Sequence, residues 1–189
     1  MSTTTVSLVG VGGQGILLAA AVLANAALFE GLDVKASEVK GMAQRGGSVM
    51  STVRFGPDVA SPVAVHADVV VATELLEGRR ALGMLAPGGT LVCAGTRIAP
   101  GSVLRREASY PEDLVKEAAA RGLRLVCVDA DGLAAQAGTS RAANVVLLGA
   151  ASVVLPFSAN SWERALQAAV PAKILELNRR AFALGRDAS

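Results

Sequence analysis

Two stretches carry residue types suited to holding a charged molecule. The first is Gly10-Val11-Gly12-Gly13-Gln14-Gly15, set between a short apolar run and a long one. Gly10, Gly12 and Gly15 match the dinucleotide fingerprint, in which backbone amides at a helix start hold a phosphate. A tight strand-to-helix turn also needs glycine without any ligand, so the spacing alone leaves both readings open. The second is Ser37-Glu38-Val39-Lys40-Gly41-Met42-Ala43-Gln44-Arg45-Gly46-Gly47-Ser48, between two segments that read as buried strands, Asp33–Ser37 and Val49–Phe55. It follows neither the helical nor the strand apolar period, and its glycines let the backbone approach a partner closely. Lys40, Gln44 and Arg45 supply donors; Glu38 and Ser48 supply acceptors. Glu38 also stands near where a fingerprint expects a ribose-binding acid, slightly beyond the usual ~20 residues.

Other candidates have ordinary explanations. Glu74 and Glu77 could pass for a catalytic pair, but at a first helical turn, with Thr73 as cap, dipole complementarity accounts for them as well. His66 is the sole histidine, with no nucleophile motif near it, which favours a structural or surface role. Cys93 and Cys127 are far apart in apolar runs and cannot ligate a zinc ion or an iron–sulfur cluster unaided. They read as small packing residues in a reducing compartment.

Composition narrows the class. With 189 residues, 52% of them apolar and 3% aromatic, the chain suits one α/β domain with small-residue contacts between helices and sheet. A net charge of +2 without a basic block argues against nucleic acid. The longest apolar run, Ile16–Phe29, is too short for a bilayer span, and no positive charge precedes it as a secretory signal would require. The expectation is a cytoplasmic protein with no membrane partner.

The elements that must position these residues follow in order. Val6–Val9 reads as a buried parallel strand, followed by the glycine turn and a helix to Phe29, which Gly31 ends. After the two strands flanking the polar stretch come Ala67–Ala72, a helix to Leu85, Thr90–Ala94 after the Pro87-Gly88-Gly89 turn, and a loop or hairpin over Arg97–Arg106. Ser109 to Glu112 has capping-box spacing before a helix to Arg121, and Leu123–Val128 is the last strand. A short helix starts at Asp129, an apolar helix spans Asn144–Leu155, Asn160 with Glu163 opens a helix through Ala169, and a final helix over Ala172–Leu184 stops at Gly185. This order predicts a doubly wound, mostly parallel, Rossmann-like α/β sheet with a C-terminal helical layer.

Taken together, Gly10–Gly15 and Ser37–Ser48 resemble the gamma domain of the 2-oxoacid:ferredoxin oxidoreductases, and most nearly its indolepyruvate branch. Glu74-Leu-Leu-Glu77, Tyr110-Pro111, Asn144 with Leu148-Gly149-Ala150-Ala151, and Asn178-Arg-Arg-Ala-Phe182 extend the resemblance over the whole chain. The resemblance implies oxidative decarboxylation of a 2-oxoacid, an aryl pyruvate in that branch, on thiamine diphosphate. Electrons pass through iron–sulfur clusters to ferredoxin, and the acyl group goes to coenzyme A. This chain has no Gly-Asp-Gly segment followed by Asn and no set of four close cysteines. The resemblance therefore places thiamine diphosphate, Mg and 4Fe-4S clusters on a larger alpha subunit, with the pair forming a heterotetramer and this chain not catalytic alone. It also implies coenzyme A contact, with Gly12, Gly13, Gln14 and Gly15 as backbone contacts and Lys40, Gln44 and Arg45 as side-chain contacts. Two other readings compete: a free-standing dinucleotide-binding dehydrogenase, and a structural subunit that binds no ligand and only covers its partner.

Overall fold

The computed structural model describes residues 2–40, 47–110 and 112–189. In chain order the elements are β1 (Thr4–Val11), α1 (Ile16–Phe29), β2 (Asp33–Lys40), β3 (Ser48–Gly56), β4 (Ala67–Ala72), α2 (Leu75–Ala81), β5 (Leu85–Ala94) and the one-turn α3 (Gly101–Leu104). Then come α4 (Leu114–Ala120), β6 (Arg124–Val128), α5 (Ala130–Ala137), α6 (Ala143–Ala151), α7 (Ala159–Ala169) and α8 (Leu175–Asp187), with single 3-10 turns between some of them.

The six strands form one sheet in the order β2-β3-β1-β4-β5-β6. β1, β4, β5 and β6 are parallel, whereas β3 runs antiparallel to both β1 and β2. The expected mostly parallel sheet thus carries an inserted antiparallel hairpin. The connection from Lys40 to Ser48 is too short for a crossover, which needs a dozen or more residues, so β3 must turn back beside β2.

β4 is apolar apart from the exposed Asp68, which accepts from the Thr5 amide at 2.7 Å, because both faces of the strand are covered beyond that point. Val69 and Val71 join a large core with α1, α5, α6, α7 and α8, while Val70 and Ala72 join a smaller one with α2 and α4. The C-terminal helices form the expected layer on the α1 side. Scarce aromatics are concentrated there: Phe55, Phe157, Trp162 and Phe182 stack in series with centroids 4.7, 5.3 and 5.2 Å apart. α6 and α8 meet backbone to backbone. A Cβ at Gly149 would lie 2.1 Å from the Phe182 carbonyl oxygen, and one at Gly185 1.9 Å from that of Val146. Gly185 therefore sits inside α8 as a packing residue and does not end it.

Several helix starts differ from expectation. Glu74, not Thr73, caps α2 by accepting from the Glu77 amide, because Thr73 is drawn to the glycine turn. Ser158, not Asn160, caps α7, leaving Glu163 to pair with Arg179 of α8. α4 begins at Leu114 without a side-chain cap, so Ser109 does not open it. The Pro87-Gly88-Gly89 turn is absorbed into β5, where the register against β4 shifts. Among the described residues no helix is long and apolar enough to cross a membrane.

Candidate functional site

The helix after β1 crosses to one face of the sheet and the helix after β4 to the other. Between the carboxyl ends of these adjacent strands a crevice must open, the usual ligand position in open α/β sheets. A cavity of about 600 Å³ lies there, lined by Gly13, Gln14, Gly15, Thr73, Asp131, Arg141 and Asn144 among others.

The glycine turn forms one wall. Gly10 is forced by crowding: a Cβ would stand 1.9 Å from the Thr73 hydroxyl oxygen. Gly15 has φ +73 and touches Asn144, whose Nδ2 would lie 2.4 Å from an added Cβ. Gly13, at φ +103, has open space beside it. Glycine is needed at both for the left-handed backbone. The Gly12 amide donates to the Gly47 carbonyl at 2.8 Å and the Gln14 amide to that of Val11 at 3.1 Å. Gly13 and Gly15 both line the cavity, and neither amide donates to a described residue.

The Gln14 side chain is engaged as well. Its Oε1 accepts from the Val11 amide at 2.7 Å and the Thr73 hydroxyl at 2.6 Å, and its Nε2 donates to the Thr73 carbonyl. Asn144, 3% exposed at the start of α6, donates from Nδ2 to the Gly15 carbonyl at 2.8 Å. Its Oδ1 is buried without a described partner. Arg141 is exposed and pairs with no described carboxylate. The wall thus combines the glycine turn at the positive end of α1 with the Arg141 guanidinium and, beside them, the Asp131 carboxylate. The helix start and the guanidinium suit a phosphate. The sequence does not mark Thr73, Asp131, Arg141 or Asn144 as lining this cavity; for Asn144 the signals are its place at the head of an apolar run and in the family resemblance.

Of the second stretch, β2 extends to Lys40, whose backbone pairs with Val49. Gln44 and Arg45 lie outside the described residues, as does the Lys40 side chain. The Gly12–Gly47 bond ties the end of this stretch to the glycine turn. Glu38 does not sit beside that turn. β3 separates β2 from β1, placing Glu38 two strand spacings, roughly 10 Å, from the strand that carries the fingerprint.

Glu74 and Glu77 are fully occupied structurally. Glu74, 1% exposed, accepts from the amides of Glu77 and Ile98 and from the Tyr110 hydroxyl. Burial, and the Glu74 carboxylate it donates to, push the Tyr110 phenol well above its ordinary range. Glu77 accepts from Ser48 and Arg80, both at 2.6 Å. His66 is exposed just before β4, at the opposite end of the sheet from the cavity. Cys93 is buried and its thiol is pushed up to about 12 by that burial, while Cys127 is exposed. Among the described residues no group of His, Cys, Asp and Glu could hold a metal ion.

The chain is 38% identical to indolepyruvate oxidoreductase subunit IorB of Thermococcus kodakarensis, over 98% of this chain and 95% of that one. Its fold matches the gamma subunit of a keto/oxoacid ferredoxin oxidoreductase from Geobacter sulfurreducens, with TM-score 0.73, 26% identity, and coverage of 97% and 96% of the two chains. It also matches the fold of a 2-oxoglutarate:ferredoxin oxidoreductase from Magnetococcus marinus, with TM-score 0.77 and 22% identity, over 99% of this chain and 31% of that one. The description pyruvate ferredoxin/flavodoxin oxidoreductase fits residues 5–188, and the chain belongs to that family.

Proposed function

We propose that this chain is the small subunit of a cytoplasmic aryl-pyruvate oxidoreductase of the indolepyruvate type, and that it contacts coenzyme A. The near full-length similarity to the Thermococcus IorB subunit carries the substrate reading. The larger subunit would bear thiamine diphosphate with Mg and the 4Fe-4S clusters, since this sequence has neither a Gly-Asp-Gly segment followed by Asn nor four close cysteines, and would complete a heterotetramer that reduces ferredoxin. The whole assembly would convert 2-oxoacid, coenzyme A and two oxidised ferredoxins into acyl-coenzyme A, carbon dioxide, a proton and two reduced ferredoxins.

The cavity fits the anionic end of coenzyme A. In the Magnetococcus protein, coenzyme A and succinyl-CoA are bound. Here the Gly13 and Gly15 amides and the Arg141 guanidinium would hold a phosphate, and Lys40, Gln44 and Arg45 are assigned as side-chain contacts on the strength of the family resemblance. Gly12 and Gln14 contribute by shaping the turn, since their amides are already committed. The chain's part is to bind and orient the acceptor thiol, which raises its effective concentration at the partner's active site.

Coexpression with the larger subunit tests this. The purified pair should reduce a viologen dye only with both a 2-oxoacid and coenzyme A, and indolepyruvate should have a higher kcat/KM than pyruvate or 2-oxoglutarate. Turnover by the small chain alone, or micromolar binding of a nicotinamide cofactor to it, would overturn the assignment.

A further inference from the structure

We propose that Gln14 and Asn144 are positioning residues: their carboxamides clamp the glycine turn from two sides so that the Gly13 and Gly15 amides face the cavity already ordered. The proposal rests on the coenzyme A reading above. A glutamine that recognised ligand would keep its amide free. Gln14 instead spends both lone pairs of Oε1 on Val11 and Thr73 and returns a bond from Nε2 to Thr73. Thr73 is itself fixed by its amide, which donates to the Val9 carbonyl at 3.0 Å, so the turn is bolted across the crevice to β4.

Asn144 acts from the other side. Its Nδ2 holds the Gly15 carbonyl, the same oxygen that accepts the first helical bond of α1, from Ala19 at 3.1 Å. Asn144 cannot drift, because α6 is locked onto α8 through Gly149 and Gly185. A segment with glycine at 12, 13 and 15 would otherwise be loose and would have to order when ligand arrives. Loss of a clamp should therefore weaken coenzyme A binding without altering the chemistry that follows.

The test uses the two-subunit enzyme. Thr73→Val removes the hydroxyl that meets Gln14 while keeping shape. We expect KM for coenzyme A to rise roughly tenfold, kcat to stay within about twofold, and KM for the 2-oxoacid to stay unchanged. In the ligand-free variant the Val11 and Gln14 amides should lose hydrogen-exchange protection, and Thr73→Ser should restore both readouts. If Thr73→Val fails to assemble, Gln14→Met removes that bond together with those to the Val11 amide and the Thr73 carbonyl, and is read by the same changes, expected to be at least as large. Unchanged KM and unchanged exchange would overturn the clamp, as would an equal loss toward both substrates. Coenzyme A should also slow exchange at Gly13 and Gly15 in the unaltered enzyme. Absence of that protection would instead overturn the coenzyme A reading, while the ligand-free exchange at Val11 and Gln14 still judges the clamp.

Discussion

Gly15→Ala bears most directly on how the site is built. The residue has φ +73, and an added Cβ would lie 2.4 Å from Asn144 Nδ2 and 3.0 Å from its Cγ. The left-handed backbone costs a non-glycine residue about 1–2 kcal/mol. The carboxamide of Asn144 must then swing away, giving up its bond to the Gly15 carbonyl, worth about 1 kcal/mol, in a buried place where relief is partial. The sum is about 3 kcal/mol, or a fall of roughly 1 M in the urea midpoint. Gly13→Ala is the control: at φ +103 with nothing within 4 Å it meets the backbone cost alone. Gly15→Ala should exceed it by about 1–2 kcal/mol, and a double-mutant cycle with Asn144→Ala should recover that excess as coupling. Equal losses for the two glycine variants, or a Gly15→Ala cost unchanged in the Asn144→Ala background, would refute the contact as the cause.

Three further outcomes follow from the packing. Gly185→Ala drives a methyl into the Val146 carbonyl, which no side-chain rotation relieves; a loss of about 3 kcal/mol or more is expected by denaturant titration. Hydrogen bonds from the Ser158 side chain, its amide and Ser161 hold the Glu30 carboxyl below its ordinary value. A lowered folded value means that this contribution is complete above the unfolded value and is lost as pH falls. The stability gap between wild type and Glu30→Gln should therefore be constant near neutrality, shrink below the ordinary 4.5, and vanish under the folded value. A thiol reagent at pH 8 should titrate one cysteine in the folded chain, the exposed Cys127, and reach Cys93 only after unfolding. Two fast thiols would contradict the burial of Cys93.

Much of this protein was already determined by local chemistry. Helix α1 lies over Ile16–Phe29 as the apolar run and Gly31 indicate, and β4 spans the expected Ala67–Ala72, apolar but for Asp68. The glycine turn announced itself, because three backbone needs in six residues leave glycine little alternative. What local pattern could not settle was pairing. β3 enters between β1 and β2, which removes Glu38 from the fingerprint's neighbourhood, and sheet order depends on which edges meet in space. Caps were decided the same way: Thr73 has cap chemistry, yet Gln14, 59 residues away in sequence, captures its hydroxyl. Asn144 reaches Gly15 across 129 residues, a contact that exists only once α6 lies beside the start of α1. Short-range energetics shape turns and helices, while the cavity between β1, β4 and α6 arises from long-range packing that no single stretch encodes.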